Sequence, residues 1–203
     1  MTISVIIATY GDPEWEVMAK TRALPSAMGQ GLEVLIGHDP DATIAGVRNE
    51  LAREAKGDLL CFLDADDELA PGYILAMEQM AEKVGPGHLL TPLVQKILRG
   101  RARQPAFYDE VNLLTGNWLI VGTVLERELF EKVGGFGEYP HGFEDWALWF
   151  KCTKMGAKVK KVRQAVYRQH INPNSKHRQG WKNKRWQVKT HIAVQKELEA
   201  WTP

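Results

Sequence analysis

The sequence predicts an α/β fold built on a mixed, mainly parallel sheet flanked by helices, with a basic helix at the C-terminal end. Three observations predict it. Short, mostly apolar runs recur as ISVIIA (3–8), EVLIG (33–37) and LLCFL (59–63), and strands buried on both faces read this way. Between them lie stretches with apolar residues at helical spacing. Strand and helix alternating in this order give a doubly wound parallel sheet, in which ligands bind at the carboxyl ends of the strands.

Each element follows from its residues. The first strand is ended by Gly11-Asp12-Pro13. Residues 14–27 are a helix with Trp15, Met18 and Arg22 on one face. The second strand is closed by His38-Asp39-Pro40. Thr43 is an N-cap for the helix 44–56, and Gly57 a C′ residue for the same helix. The third strand is 59–63, and Pro71 opens a helix that runs to Val84. Residues 89–98 and 118–125 read as strands. A short helix covers 126–133 and stops at Gly134-Gly135. Residues 145–155 form a helix closed by Gly156, 158–167 a strand and 168–180 a loop. Residues 181–201 form a final amphipathic helix. No internal repeat or low-complexity segment is visible.

Composition narrows the class. The 203 residues are 44% hydrophobic and 25% charged, enough to build a core. No apolar run reaches the roughly 20 residues of a membrane span, and the first residues lack the basic flank of a signal peptide. The chain therefore reads as cytoplasmic, with contact at the inner face of a membrane as an open variant. Cys61 and Cys152 suit neither a disulfide framework nor a zinc site, and Cys61 reads as strand core. Residues 151–203 hold 14 Lys and Arg against two acids, a net +12, which leaves −11 for residues 1–150. So one-signed a segment points to a polyanionic partner or to contact with the acidic body.

The third strand runs into Asp64-Ala65-Asp66-Asp67. Like charges this close resist being ionised together. A hard divalent cation with oxygen ligands relieves that repulsion. The bland alternative is a solvated strand end whose acids cap the next helix. Competing motifs fail on their residues. No G-x-x-x-x-G-K-[ST] string occurs. An EF-hand starting at Asp64 needs Gly where Leu69 stands. A haloacid-type phosphatase needs its Asp pair on the first strand. Gly29-Gln30-Gly31 is not a dinucleotide fingerprint.

Several separated pieces together resemble the family-2 glycosyltransferases of GT-A fold, over roughly residues 1–172. ISVIIATYGD is similar to the family's first strand and its nucleotide-contacting turn. GVRNELAREAKGDLLCFLDADDELAPGYI (46–74) resembles its R-N helix running into D-x-D-D. GTVLERELFEKVGGFGE (122–138) resembles its acceptor-side segment, FEDWALWFKCTKMGAKV (143–159) its E-D-W-x-L-W helix, and YRQH (167–170) its late Tyr-Arg-x-His. Two departures stand out. Only Pro40–Ala42 separates the Asp39-type acid from the R-N helix, where the family has a further helix and strand, and this thins the wall beside the base. Processive members carry Q-x-x-R-W, whereas 182–186 reads KNKRW, which implies a non-processive enzyme.

The resemblance implies roles and a division of the chain. Residues 1–172 form the transferase domain, with a nucleotide-binding half (1–90) and an acceptor half (91–172). Residues 173–203 form a basic helical extension. Thr9, Tyr10, Asp39, Arg48, Asn49, Asp64 and Ala65 are expected at the nucleotide-sugar. Asp66, with Asp64, is expected to hold Mn2+ or Mg2+ against the donor diphosphate. Asp67 either orients its neighbours or caps the next helix. His170 is a further metal ligand, a phosphate contact or simply exposed. Asp145 is expected as general base with Glu144 as fallback. A helix N-terminus keeps an acid ionised, so burial must lift its pKa for that work. Trp118 is expected as an exposed ring that stacks on a sugar. The Trp146/Trp149/Phe150 stripe reads as core or as a sugar platform, with Trp146 the acceptor-side candidate.

The implied function is metal-dependent, inverting transfer of one sugar from a nucleotide-diphospho-sugar, UDP-linked above others, to an acceptor hydroxyl. The acceptor stays open among glycan, lipid-linked sugar, protein and modified nucleic acid. The basic tail reads as a grip on a phosphorylated acceptor at a membrane surface, a nucleic-acid surface, a lid over the diphosphate, or a solvated helix balancing the acidic body. The competing function is a non-catalytic nucleotide- or polyanion-binding module on a degenerate version of the fold.

Overall fold

The structure is a computed structural model that describes residues 1–30, 33–139, 142–171 and 184–202, with the side chains of 184–190 left aside. Its strands are β1 (Ile3–Tyr10), β2 (Glu33–Asp39), β3 (Leu59–Leu63), β4 (Glu68–Leu69), β5 (His88–Leu98), β6 (Arg101–Ala102), β7 (Leu125–Glu126) and β8 (Lys158–His170). Helix α1 spans 14–27 and contains a π turn at Ala19–Ala23. It is followed by α2 (Ile44–Glu54), α3 (Tyr73–Val84), α4 (Arg127–Lys132), α5 (Glu144–Lys154) and α6 (Lys184–Ala200).

Two four-stranded sheets form, in the orders β2-β1-β3-β7 and β4-β8-β5-β6. In the first, β1 pairs in parallel with β2 and β3, so Val5 sits between Val34 and Cys61. The apolar runs of β1 and β3 are buried throughout. In the second, β5 and β8 run parallel, flanked by antiparallel β4 and β6. An isolated bridge from Leu90 to Val124 ties the two sheets together.

Several local expectations hold in detail. The Thr43 hydroxyl accepts the Gly46 amide at 3.0 Å and caps α2. Trp15 and Met18 pack against the core from α1, although its most buried positions are the small residues Ala19, Ala23 and Ala27. Cys61 is buried in β3.

Others are corrected. Helix α2 ends at Glu54, and Gly57 is not its left-handed terminus. Gly57 is required because a Cβ there would stand 2.6 Å from Ser4 Oγ and 2.7 Å from Ser4 N, where the chain crosses β1. Helix α3 begins at Tyr73 behind Gly72, whose φ of 82° places the turn after Pro71. Residues 118–124 are buried but do not form a strand. They turn through a Thr123 N to Ile120 O bond of 2.9 Å, and regular pairing with β3 begins at Leu125. An all-apolar run marks burial, and burial alone does not separate strand from packed loop. Strand β8 continues through His170, which removes the first part of the expected 168–180 loop; residues 172–183, including Lys182, lie outside the described residues.

Helix α6 lies against α5. Val194 and Leu198 are buried in the common core, and Glu197 accepts the Tyr139 hydroxyl at 2.7 Å. The described part of the C-terminal helix is thus joined to the hydrophobic core, with Lys196, Glu197 and Glu199 exposed. Among the described residues, no helix is long and apolar enough to cross a membrane.

Candidate active site

The carboxyl ends of β1, β2 and β3 deliver Tyr10, Asp39 and Asp64 to one edge of the first sheet. Tyr10 and Asp39 are in register and both are half-buried. Asp39 accepts the Asp41 amide at 2.9 Å, which turns the chain toward α2. Thr9, one residue earlier, is buried. Its hydroxyl donates to Gly37 O at 3.2 Å and lies 3.0 Å from His38 Nδ1.

Past Leu63 the chain makes a tight turn, closed by Asp67 N to Asp64 O at 3.1 Å. The turn sends its carboxylates in different directions. Asp64 remains 40% exposed, the value that leaves it open to a ligand. Ala65 is buried and Asp66 half-buried. Asp67 is buried and accepts the His170 amide at 2.8 Å, so it fixes the end of β8 and does not cap α3. Arg22 of α1 donates to the Asp66 carbonyl at 2.9 Å and steadies the turn. Burial, then the charge of Asp64, pushes the Asp66 carboxyl up to about 6. Burial and the charges of Asp64 and Asp66 hold Asp67 well above the ordinary carboxylate range.

This is the chemistry a divalent cation relieves. Among the described residues no three His, Cys, Asp or Glu side chains converge as a ready-made cage. Magnesium-like sites need less, because one or two carboxylates suffice when phosphates complete the shell. Asp66 and Asp64 fit that requirement. The His170 ring is instead paired through Nε2 with Glu68 Oε2 at 2.5 Å, so its place here is beside the acid turn, in contact with a carboxylate.

The second half of the chain meets this turn through Arg48. Arg48 is buried, with Nη2 at 2.7 Å from Asp64 Oδ1 and Nη1 at 2.8 Å from Glu144 Oε1. Its guanidinium also covers the Phe136 ring at 5.0 Å. Burial opposes its charge, but Asp64, Glu144 and Asp145 outweigh burial and raise its pKa. Beside Glu144, at the start of α5, Asp145 accepts the Trp146 amide at 2.7 Å on Oδ1 and the Asn117 Nδ2 at 3.0 Å on Oδ2. Burial, then the charge of Glu144, lifts the Asp145 carboxyl to about 7, against the pull of Arg48. Phe143 enters the helix with φ of 77°, a left-handed conformation that is uncommon for a bulky residue.

Four expected site residues sit elsewhere than the sequence suggested. Asn49 is engaged at both ends of its amide, donating to Phe136 O and accepting from Phe136 N, each at 2.9 Å. It clamps the loop before α5 and does not face the donor edge. Trp118 is buried at 8% exposure, with Lys161 5.6 Å from its ring. Trp146 is 1% exposed, and its indole donates to Leu113 O. Neither tryptophan is a free sugar platform; both belong to the core. Thr9 faces β2. Sequence reasoning also missed Asn117, Glu68 and Arg22. Only Glu68 carried a signal, as the fourth acid of the 64–68 stretch. The other two act across 28 and 44 residues, on no local pattern.

Residues 19–105 match the family profile described as Glycosyl transferase family 2. The match takes in Asp39, Arg48 and the whole acid turn. Over that stretch, somewhat less than half of the chain, the protein is similar to glycosyl transferase family 2. No curated protein sequence matches the chain. Among solved structures, S. aureus TarS 1-349 in complex with UDP is similar at 17% identity and a TM-score of 0.69, covering 96% of this chain and 65% of that one. The same protein with UDP-GlcNAc gives 14% identity and a TM-score of 0.67, over 87% of this chain and 60% of that one. GalNAc-T7 with UDP, GalNAc and Mn2+ gives 17% and 0.65, over 99% of this chain and 48% of that one. These likenesses establish the GT-A fold. The chain spans less than two thirds of each of these solved chains.

Proposed function

We propose that the protein transfers a single sugar, with inversion, from a nucleotide-diphospho-sugar to an acceptor hydroxyl. The observation that carries this reading is the Asp64–Arg48–Glu144 bridge, which sets an acid turn beside a carboxyl of neutral pKa. UDP is the donor nucleotide we favour, since the solved structures named above hold UDP or UDP-GlcNAc. Asp39 and Tyr10, side by side at the strand ends, are the groups we assign to the nucleoside.

Asp145 is assigned as the base. At about 7, its carboxyl is half ionised near neutrality, where an acid of ordinary pKa is too weak a base to take a hydroxyl proton. The Asn117 amide holds Oδ2 and the Trp146 amide holds Oδ1, so the remaining lone pairs have a fixed direction. Glu144 is less suited, because its charge is already neutralised by Arg48. As the acceptor oxygen attacks the anomeric carbon, Asp145 takes its proton while the bond to the diphosphate breaks.

Asp66, with Asp64, would hold a divalent cation together with the donor phosphates. Such an ion supplies Lewis-acid stabilisation of the diphosphate as it leaves. Non-processive action rests on Lys182 standing where processive enzymes carry Gln. Thermal shift tests the donor half. UDP with Mn2+ is expected to raise the melting temperature of the parent, with no such rise for Asp66→Ala. Equal shifts in both proteins would reject the assignment of Asp66.

A further inference from the structure

The β5–β6 hairpin carries a residue that its own geometry disfavours. Leu98 pairs with Arg101, so Arg99 and Gly100 form a two-residue turn. Both have positive φ, 51° and 75°. Turns of this hand favour Asn-Gly or Asp-Gly, because Gly, Asn and Asp reach that region with the least strain. Arginine stands where asparagine would sit more easily. Arg99 is exposed, so packing does not explain it. Strain retained against an easier alternative points to a task for the side chain.

Charge gives a second, independent observation. Residues 88–106 and 151–171 contain 11 Lys and Arg and no acid, while residues 1–87 contain 15 acids against six bases. Arg99, Arg101 and Arg103 are exposed, and among the described residues they form no ion pair. The Arg103 amide donates to Lys96 O at 2.9 Å, which brings Lys96 into the same group. Lys96 lies 4.6 Å over the Tyr108 ring, and Lys161 and Arg163 flank the Phe107 ring at 5.2 and 5.7 Å. Glu110 neutralises Lys161 alone.

Position connects this surface with the site. Ile97 is in register with His170, and Ile171 N donates to Ile97 O at 2.8 Å. The turn at Arg99 therefore projects beyond the ends of β5 and β8, at the same end of the sheet where His170 meets Glu68 and Asp67.

We propose that the β5–β6 hairpin, with Arg99 at its tip and Lys96, Arg101 and Arg103 behind it, binds phosphate groups of a polymeric acceptor and brings that acceptor to the mouth of the site. The word acceptor rests on the transferase reading above; the anion site does not. The donor diphosphate is the other source of phosphate at this rim. The polymer is favoured because the cations continue along β8 through Arg163, Lys160 and Lys158. The 13 residues of that strand extend about 40 Å at roughly 3.3 Å each, far beyond one diphosphate.

The test titrates labelled linear polyphosphate into the whole protein at several salt concentrations, with UDP binding measured in parallel by calorimetry. Parent protein is expected to bind polyphosphate with a logarithmic salt dependence. Arg99→Asn is expected to reduce that slope by about 1, leave UDP affinity unchanged, and give a melting temperature equal to or above the parent's. Arg101→Gln, which does not alter the turn residues, is expected to reduce the slope similarly. Polyphosphate binding unchanged in both variants, with UDP still bound, overturns the arm and leaves the donor site standing. Equal weakening of UDP and polyphosphate assigns the arm to the donor and overturns the acceptor role. Polyglutamate bound as well as polyphosphate overturns phosphate recognition. Polyphosphate binding by a parent that binds no UDP overturns the acceptor assignment together with the transferase reading.

Discussion

Arg48 donates Nη1 to Glu144 Oε1 at 2.8 Å, joining residues 96 apart in the chain. With its other nitrogen it holds Asp64. One buried guanidinium thus links the turn after β3 to the first residues of α5, and so holds the acid turn and the neighbour of Asp145 in fixed relation. Removing a partner from a buried pair leaves uncompensated charge, and that is the costly change. Arg48→Ala is expected to lower unfolding free energy by about 3 kcal/mol, the lower end of that range because Asp64 is partly solvated. Arg48→Lys should recover little, since a single ammonium lacks the planar fork that reaches both acids. Urea denaturation measures both; a loss near zero for Arg48→Ala would mean that solvent already screens the pair.

Asp145 makes stability depend on pH in a definite direction. Its folded pKa, about 7, lies above its ordinary value of 3.8. Between these values the folded state retains a proton that the unfolded state has released, so this group's contribution to stability falls as pH rises from about 4 to 7. Asp145→Asn cannot titrate. Its unfolding free energy is expected to decline less steeply over that range than the parent's, as read from denaturant curves at successive pH. Parallel pH profiles for the two proteins would contradict the raised value.

Asn117 acts on the reaction through Asp145. Its Nδ2 stabilises the ionised carboxylate, while its Oδ1 is held by the Leu119 amide at 3.1 Å. Loss of a donor to the charged form raises a carboxyl pKa. Asn117→Ala is expected to move the acidic limb of the rate profile to higher pH and to lower kcat, with little change in KM for the donor. A lower rate with an unmoved limb would make Asn117 a loop residue only.

Leu198 is fully buried although it lies in the most basic part of the chain. Leu198→Ala is expected to destabilise the whole domain by about 2–5 kcal/mol, seen as one shifted transition in thermal unfolding. An unshifted main transition would return α6 to the status of a separate appendage.

The strands of the first sheet were legible because β3 is apolar throughout and β1 nearly so, with Ser4 and Thr9 its polar positions, and Thr43 because a cap is a local bond. The acid turn was legible for the same reason, as four neighbouring residues. What escaped were features decided across the fold. Gly57 looked like a helix terminus, yet its requirement comes from Ser4, 53 residues away. Trp118 followed Gly-Asn and looked exposed, but the packed 118–124 turn buries it. Trp146 stands at the right helical phase for either core or platform, and only the Leu113 carbonyl decides. Asn49 stands next to Arg48 in sequence, but one helical step turns it from the acid turn to the Phe136 loop.

The most direct test of the central assignment compares Asp145→Asn with the parent at saturating UDP-sugar and metal, following sugar transfer or donor consumption alongside UDP affinity. The account predicts unchanged UDP affinity and a rate lowered by roughly 10²- to 10⁴-fold. A variant that turns over at the parental rate would contradict it and move the base away from α5.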